Sequence, residues 1–231
     1  MGGGFFSRMP ILHNAPAPKV SRFSSGAVAA FTQSYTVPSN LPTSIQAIFL
    51  AVWLQDAAGA YTMTFDGAGP AETIAASDAV DAGTPCAAAF RWANPAAGAR
   101  NLVLTQGRLR SLVTCMWIFD QVHPAVRWDA SYQLEASANA TTVPISLATS
   151  VPTYGIALAG AQGFDTGPGT INSGWADLGS GSTDTGASSL TLDLGYIAAS
   201  KALPAAGTYT PTVTFAASDG RGAIALAVRG A

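Results

Sequence analysis

The stretch that decides the fold class is Cys86–Gln106, C-A-A-A-F-R-W-A-N-P-A-A-G-A-R-N-L-V-L-T-Q. Its first part alternates, with Phe90 and Trp92 on one face, and after an Asn-Pro turn a second alternation puts Leu102 and Leu104 on one face. A period of two with one apolar face is typical of a half-buried β-strand. The stretch therefore predicts a strand, a tight turn and a second strand.

The same pattern recurs along most of the chain, between gaps rich in Gly, Pro, Asn and Asp. The predicted strands are Val28–Val37, Ile45–Gln55, Tyr61–Asp66, Cys86–Trp92, Asn101–Gln106, Ser111–Asp120, Tyr132–Glu135, Thr142–Thr149, Tyr154–Ala161, Ser189–Ile197, Thr208–Ala216 and Ala223–Arg229. Pro211 predicts that its strand lies at a sheet edge or begins to pair there, because proline has no N–H to donate to a ladder. Gly163–Ser189 is predicted to be a long loop that carries one short strand or a tucked aromatic residue.

Two segments are apolar on both faces, Ile45–Leu54 and Leu112–Phe119, as central strands of a covered sheet are. The chain offers no amphipathic helix of about twelve residues or more, which disfavours an α/β fold. We therefore expect an all-β protein, a sandwich of two sheets whose outer face is partly covered by a neighbouring molecule or by the N-terminal segment.

The domain organisation is predicted to be simple. Residues 1–25 have no periodicity and contain Pro10, Pro16 and Pro18, which predicts an extended N-terminal arm. Residues 26–231 are expected to form one β-sandwich domain, since all-β domains of this length often fold as a single unit.

Composition excludes some partners and favours others. The chain has 11 basic and 13 acidic residues and no basic run, so we expect no nucleic-acid binding. Its longest apolar stretch is about half of the roughly 20 residues that a spanning helix needs, so no membrane insertion is expected. Charged residues make up 10% and hydrophobic residues 48% of the chain, which leaves Ala- and Thr-rich faces suited to subunit contacts. We therefore expect a homo-oligomer, a trimer or alternatively a pentamer.

The residues that could form a catalytic or metal site are better explained as parts of turns. The triplets Asp165-Thr166-Gly167 and Asp184-Thr185-Gly186 match the aspartic-protease motif, but both lie in one Gly/Ser-rich segment and favour turns. Neither His13 nor His123 has a recognisable nucleophile motif nearby, and no metal-ligand spacing occurs. We therefore expect no catalytic residue, no metal and no cofactor.

The cysteines and tryptophans require separate predictions. Cys86 and Cys115 occupy apolar strand positions, which favours free buried thiols and leaves a bridge as the alternative. Trp128 and Trp175 lie in predicted loops and are the candidates for stacking on a ligand or for an interface. The remaining tryptophans, predicted to be core residues, are Trp53, Trp92 and Trp117.

The order of these motifs resembles the jelly-roll domain of fibre and spike proteins of tailed phages and gene-transfer-agent-like particles. The matching segments are I48-F-L-A-V-W-L, Y61-T-M-T-F-D-G-A-G-P-A-E, F90-R-W-A-N-P-A-A-G, N101-L-V-L-T, L112-V-T-C-M-W-I-F-D-Q-V, L190-T-L-D-L-G-Y and A223-I-A-L-A-V-R. The resemblance implies a non-enzymatic structural protein of a virion that is assembled in the bacterial cytoplasm, a spike or tail-fibre subunit. The alternative is a lectin-like module that binds a host surface glycan, and a polysaccharide-degrading enzyme is the third reading.

The arm is predicted to be the attachment element. Phe5, Phe6, Met9, Ile11 and Leu12 form an apolar cluster too short to make its own core, and the prolines that follow lower the entropy lost on docking. We expect these residues to bind other virion proteins of the capsid or tail.

Overall fold

A computed structural model describes residues 8–22, 28–55, 60–76, 84–125, 127–136, 140–163, 167–183, 194–216 and 220–231. Within these residues the chain is 70% strand and has no helix, which confirms the all-β prediction. The jelly-roll topology stays a prediction. The strands are β1 Ile11–Asn14, β2 Lys19–Arg22, β3 Val28–Val37, β4 Ile45–Gln55, β5 Thr62–Phe65, β6 Glu72–Ala76, β7 Cys86–Ala93, β8 Gly98–Asp120, β9 Trp128–Ala136, β10 Thr142–Pro144, β11 Leu147–Thr149, β12 Thr153–Gln162, β13 Thr170–Ile171, β14 Ala176–Ser182, β15 Leu194–Leu203, β16 Gly207–Tyr209, β17 Thr212–Thr214 and β18 Gly220–Arg229.

The long strand β8 organises the first sheet, whose order is β6-β7-β4-β8. Strand β4 pairs with the second half of β8, and β5 pairs with residues 102–105. Strands β1, β2 and β3 follow one another along β8 from Asp120 to Gly98. Because a strand has only two edges, the arm strands and β3 lie along one edge of β8, and β4 and β5 along the other.

The second sheet has the order β14-β15-β12-β18-β9, all antiparallel. Two small sheets, β10-β17-β13 and β11-β16, contribute Val143, Leu147 and Val213 to the core on its far side. Apolar residues lie on both faces of β4 and of β12, as expected for strands that are covered on each side.

Three hydrophobic cores follow from this layering. The first core lies inside the bent first sheet, where β3, β5 and the start of β8 pack onto β4 and β7; Phe49, Trp53 and Phe90 are among its residues. The second core fills the space between the two large sheets, with Ile48, Trp117 and Leu226. The third core lies between the second sheet and the small sheets, with Trp175 and Phe215.

These cores change the predicted picture of a sandwich with partly uncovered faces. We expected a neighbouring molecule or the arm to cover the apolar outer faces. The chain instead covers one face by bending β8 back over β4 and β7, and the other with the small sheets. The apolar composition is therefore largely accounted for within one chain.

Several element boundaries differ from the prediction. Asn101–Gln106 and Ser111–Asp120 belong to one continuous strand, because β3 and β4 both pair with Leu109; the extra residues at both irregularities lie on β8. Thr208–Ala216 is split into β16 and β17 at Pro211, as the missing N–H of proline predicts. The periodicity did not reveal β1, β2 or β6, and the segment predicted as a loop with one short strand contains both β13 and β14.

Candidate functional site

The second core has two long edges, and both contain residues that the sequence singled out. At one edge β6 and β7 lie over β9, where Trp128 begins the strand. At the other edge lie residues 8–22, the described part of the segment predicted as an arm and called the arm below; they run along β8, and Pro18 contacts β14. We refer to these as the Trp128 edge and the arm edge.

The Trp128 edge is held by side chains that meet at Glu72. Its carboxylate accepts a hydrogen bond from Trp128 Nε1 at 2.9 Å and one from Arg91 Nε at 3.0 Å. Arg127 Nη1 lies 3.9 Å from the same carboxylate. The Glu72 and Arg127 side chains are each 32% exposed, and the Trp128 ring is half-buried against the second core. A carboxylate, a guanidinium and an indole thus share one accessible patch.

Arg91 explains why Glu72 matters for this edge. The Arg91 guanidinium is buried, and Nη1 also donates to Gln46 Oε1 at 2.6 Å. A buried guanidinium is costly unless a carboxylate and further hydrogen bonds compensate for its lost hydration. Strands β6, β7 and β4 supply these groups from adjacent positions, so the network ties the first sheet to β9.

The arm edge is held mainly by the backbone. Lys19–Arg22 pair with Ser111–Thr114, and Ile11 and Leu12 pair with Asp120 and Phe119. Leu12, within the first pairing, and Ala15, between the two, pack against the second core. The predicted boundary at residue 25 therefore falls between strands that share one edge of β8.

Two glycines make room for the arm at this edge. A Cβ on Gly230 would overlap the carbonyl oxygen of Arg8, whose N–H donates to Ala231 O at 2.9 Å. A Cβ on Gly179 would lie 2.6 Å from Cδ of Pro18, and Gly179 has a φ of 154°. Only residues without a side chain allow these close approaches, so Arg8 and Pro18 of the arm lie directly against Gly230 and Gly179.

The predicted attachment residues have different environments. Ile11 is 44% exposed, Leu12 packs into the second core and Met9 is half-buried. Phe5 and Phe6 lie outside the described residues. Among the described residues, Ile11 and Val20 are the exposed large hydrophobic residues, and both belong to the arm.

Trp175 lies in the third core. It is 7% exposed, and its ring lies against Gly155 of β12, where a Cβ would come within 2.7 Å of the indole. The prediction that this segment tucks an aromatic residue agrees with that position. A buried indole has no open face for a sugar, so of the two candidate tryptophans only Trp128 is accessible.

Both cysteines are free and buried, as favoured from the sequence. Cys86 faces the first core and Cys115 the second, on opposite faces of the first sheet. The Cys115 thiol donates to the carbonyl oxygen of Pro16 at 3.4 Å, and burial raises its pKa well above the ordinary range. Cys115 is therefore covered by the arm.

Both histidines make local polar contacts. Nδ1 of His123 accepts a hydrogen bond from Ala125 N within a turn. His13 Nε2 lies 3.2 Å from Asp120 Oδ1 and adds a polar contact between the arm and β8. Asp165 and Asp184 are outside the described residues.

Comparison of the chain with protein-family models, with curated proteins and with solved structures found no match. The part of the chain that the structure describes contains no group of three metal-ligating side chains. It also contains no helix long and apolar enough to cross a membrane. The two edges are thus the arrangements on which a function is best argued.

Proposed function

We propose that this chain is a non-enzymatic structural protein of a phage-like particle, held in the assembly through its N-terminal arm. The observation that carries the proposal is the arm edge. Residues 8–22 are bound along β8 through their backbone, yet the exposed large hydrophobic residues Ile11 and Val20 lie on this segment. Apolar side chains exposed along an edge strand can form part of a surface that a partner covers.

The position of Arg8 shows where the described part of the arm begins. Arg8, the first described residue, donates its backbone N–H to Ala231 O. The preceding segment, Met1–Ser7, has no charged side chain and contains two phenylalanines. In the proposal it extends the apolar surface of the arm towards a capsid or tail protein.

The finer parts of the proposal come from the resemblance of the sequence. They are a jelly-roll topology, a spike or tail-fibre position, residence in the virion after assembly in the bacterial cytoplasm, and a trimeric or pentameric ring. The all-β layers are compatible with them.

Particle incorporation tests the proposal. Tagged protein is followed through gradient purification of particles from producing cells, for the full chain, for a chain that lacks residues 1–7, and for Ile11→Ser with Val20→Ser. We expect the deletion and the double variant to remain folded and to be lost from particles. Ala202→Ser, an exposed alanine on β15, is the matched control. Normal incorporation of both arm variants would contradict attachment through the arm.

Glycan binding is the second candidate, favoured by the patch of Trp128, Glu72 and Arg127. An indole beside a carboxylate and a guanidinium offers an apolar surface and polar groups together, as ligand sites do. A glycan array with Trp128→Ala and with Trp175→Ala tests it. The candidate requires a glycan whose binding is lost with Trp128→Ala, and binding that ignores this substitution would exclude the patch.

A further inference from the structure

An uncharged groove opens beside β5, on the side of the first core away from β3. The chain forms a two-residue hairpin turn at Asp66-Gly67 and then diverges from β5, because Ala71 N donates to Arg91 O of β7. The space left has a volume of about 480 Å³ and is lined by uncharged residues, including Tyr61, Pro70 and Phe90. Its volume is in the range of ligand sites.

One wall of the groove is an unpaired strand edge. Asp66 N donates to Asn101 O at 2.8 Å, which makes these two residues a bonded pair of the β5–β8 ladder. Bonded pairs alternate in antiparallel ladders, so Met63 and Phe65 direct their backbone groups away from β8. Phe65 bonds to Ala68 in both directions. Met63 and Pro70 both line the groove, and the backbone N–H and C=O of Met63 are on the groove side of β5.

These features specify the kind of occupant. An unpaired N–H and C=O on a strand edge bind an extended backbone, and side-chain pockets beside the edge then select alternate residues. The aromatic rings of Tyr61 and Phe90 favour an aromatic side chain. The lack of charged lining residues favours a neutral segment.

The segment of this chain that has these properties is Gly2–Ser7, G-G-G-F-F-S. We propose that Gly2–Ser7 of a second copy binds as an added strand along β5 and places one phenylalanine in the groove. Alternation along the strand directs the other phenylalanine to the opposite face. The proposal rests on the proposed structural role and adds to it a contact between copies.

The groove of the same chain is out of reach. Arg8 is bonded to Ala231, and Ala231 N donates to Gln121 O, so Arg8 is held at the end of β8. Neither Gly230 nor Ala231 lines the groove.

The strand register gives the distance between Gln121, at the end of β8, and Phe90, in the groove. Phe90 pairs with Phe49, and Phe49 pairs with Met116. Phe90 is therefore two strands away from Met116, which is five residues before Gln121. Strand geometry makes this about 19 Å, since each residue spans about 3.4 Å and each strand about 4.8 Å. Phe5, three residues from Arg8, reaches about 10 Å at most. A contact between different surfaces of two copies is head-to-tail, and it closes into a ring when the rotation permits.

Mass measurement by light scattering after size exclusion tests the proposal with the full chain. Phe5→Ser with Phe6→Ser removes the donor side chains, and Thr73→Asp places a carboxylate on the groove lining. Thr32→Asp is the matched control, because Thr32 is also an exposed strand threonine but does not line the groove. We expect the wild type and T32D to exceed 23.4 kDa, and the two defective variants to elute at 23.4 kDa.

Mixing the two defective variants gives the decisive result. One copy still has a groove and the other still has a donor segment, so a 1:1 mixture forms a dimer of about 47 kDa, twice 23.4 kDa, as head-to-tail pairing requires. The proposal is overturned if the mixture stays at 23.4 kDa, if T73D keeps the wild-type mass, or if the wild type is monomeric at every concentration. None of these results decides incorporation into particles, which T73D retains if the arm binds another virion protein.

Discussion

The two long edges of the second core are closed in different ways. At the Trp128 edge, side chains from β6, β7 and β9 meet at Glu72 and compensate one buried guanidinium. At the arm edge, the backbone of residues 8–22 pairs with β8 and fits against glycines of the second sheet. The first edge depends on charge and the second on shape, so different substitutions should open them.

Gly230→Ala should have the largest effect, at the arm edge. The added Cβ would overlap the carbonyl oxygen of Arg8, and backbone cannot rotate away as a side chain can. We expect a loss of about 3 kcal/mol in the free energy of unfolding, at the upper end for overpacked sites. Urea denaturation measures it. Gly107→Ala, which meets no atom within 4 Å, is the matched control and should be neutral. Equal effects of the two substitutions would show that the fit at Gly230 is not needed.

Glu72→Gln should have the next largest effect, at the Trp128 edge. It keeps the shape of the side chain but leaves the buried Arg91 guanidinium without a carboxylate. Breaking a fully buried pair costs about 3–5 kcal/mol, and because Glu72 is partly exposed we expect about 2 kcal/mol. Asp66→Asn is the control, since the more exposed pair with Arg100 should contribute less than about 1 kcal/mol. A neutral Glu72→Gln would mean that packing alone closes this edge.

Alkaline pH should weaken the arm edge by a smaller amount. Burial raises the pKa of Cys115, so the folded protein keeps a proton that the unfolded chain loses above about pH 8.5. A raised folded pKa gives stability that is complete below the unfolded pKa and falls as the pH rises. We expect a slope of up to about 1.4 kcal/mol per pH unit from this thiol.

Denaturation at pH 8, 9 and 10 measures this slope for the wild type and for Cys115→Ala. The substitution should flatten the alkaline slope, whatever it costs in packing. Glu72→Gln, a variant of the other edge, should keep the wild-type slope. An unchanged slope in Cys115→Ala would show that the thiol is not held protonated beneath the arm.

The comparison also shows which features the sequence could predict. Val28–Val37 and Ile45–Gln55 were predicted with their observed bounds, because the alternation of the first and the apolar run of the second are local signals. The docking of Lys19–Arg22 on β8 was not predicted, since it depends on pairing between residues about ninety positions apart and on the absence of a side chain at Gly179 and Gly230.

The candidate tryptophans show the same limit. Trp128 and Trp175 both follow turn-like sequence, yet one is half-buried at an edge and the other is in the third core. Gly155 decides the position of Trp175, because only glycine leaves room for the indole against β12. Such a contact produces no periodic pattern in the sequence. The role of Glu72 as the meeting point of Trp128 and Arg91 was missed for the same reason.

The central claim is that residues 8–22 are part of the folded body and close the second core. Amide hydrogen exchange of the native full chain, read by mass spectrometry on a peptide that covers residues 8–22, tests it most directly. Strands β1 and β2 bond to β8 along one edge, so about half of their amides should be protected for minutes or longer at neutral pH. In Gly230→Ala this protection should be reduced. Complete exchange of the wild-type peptide within seconds, at the rate of an unstructured chain, would contradict the account.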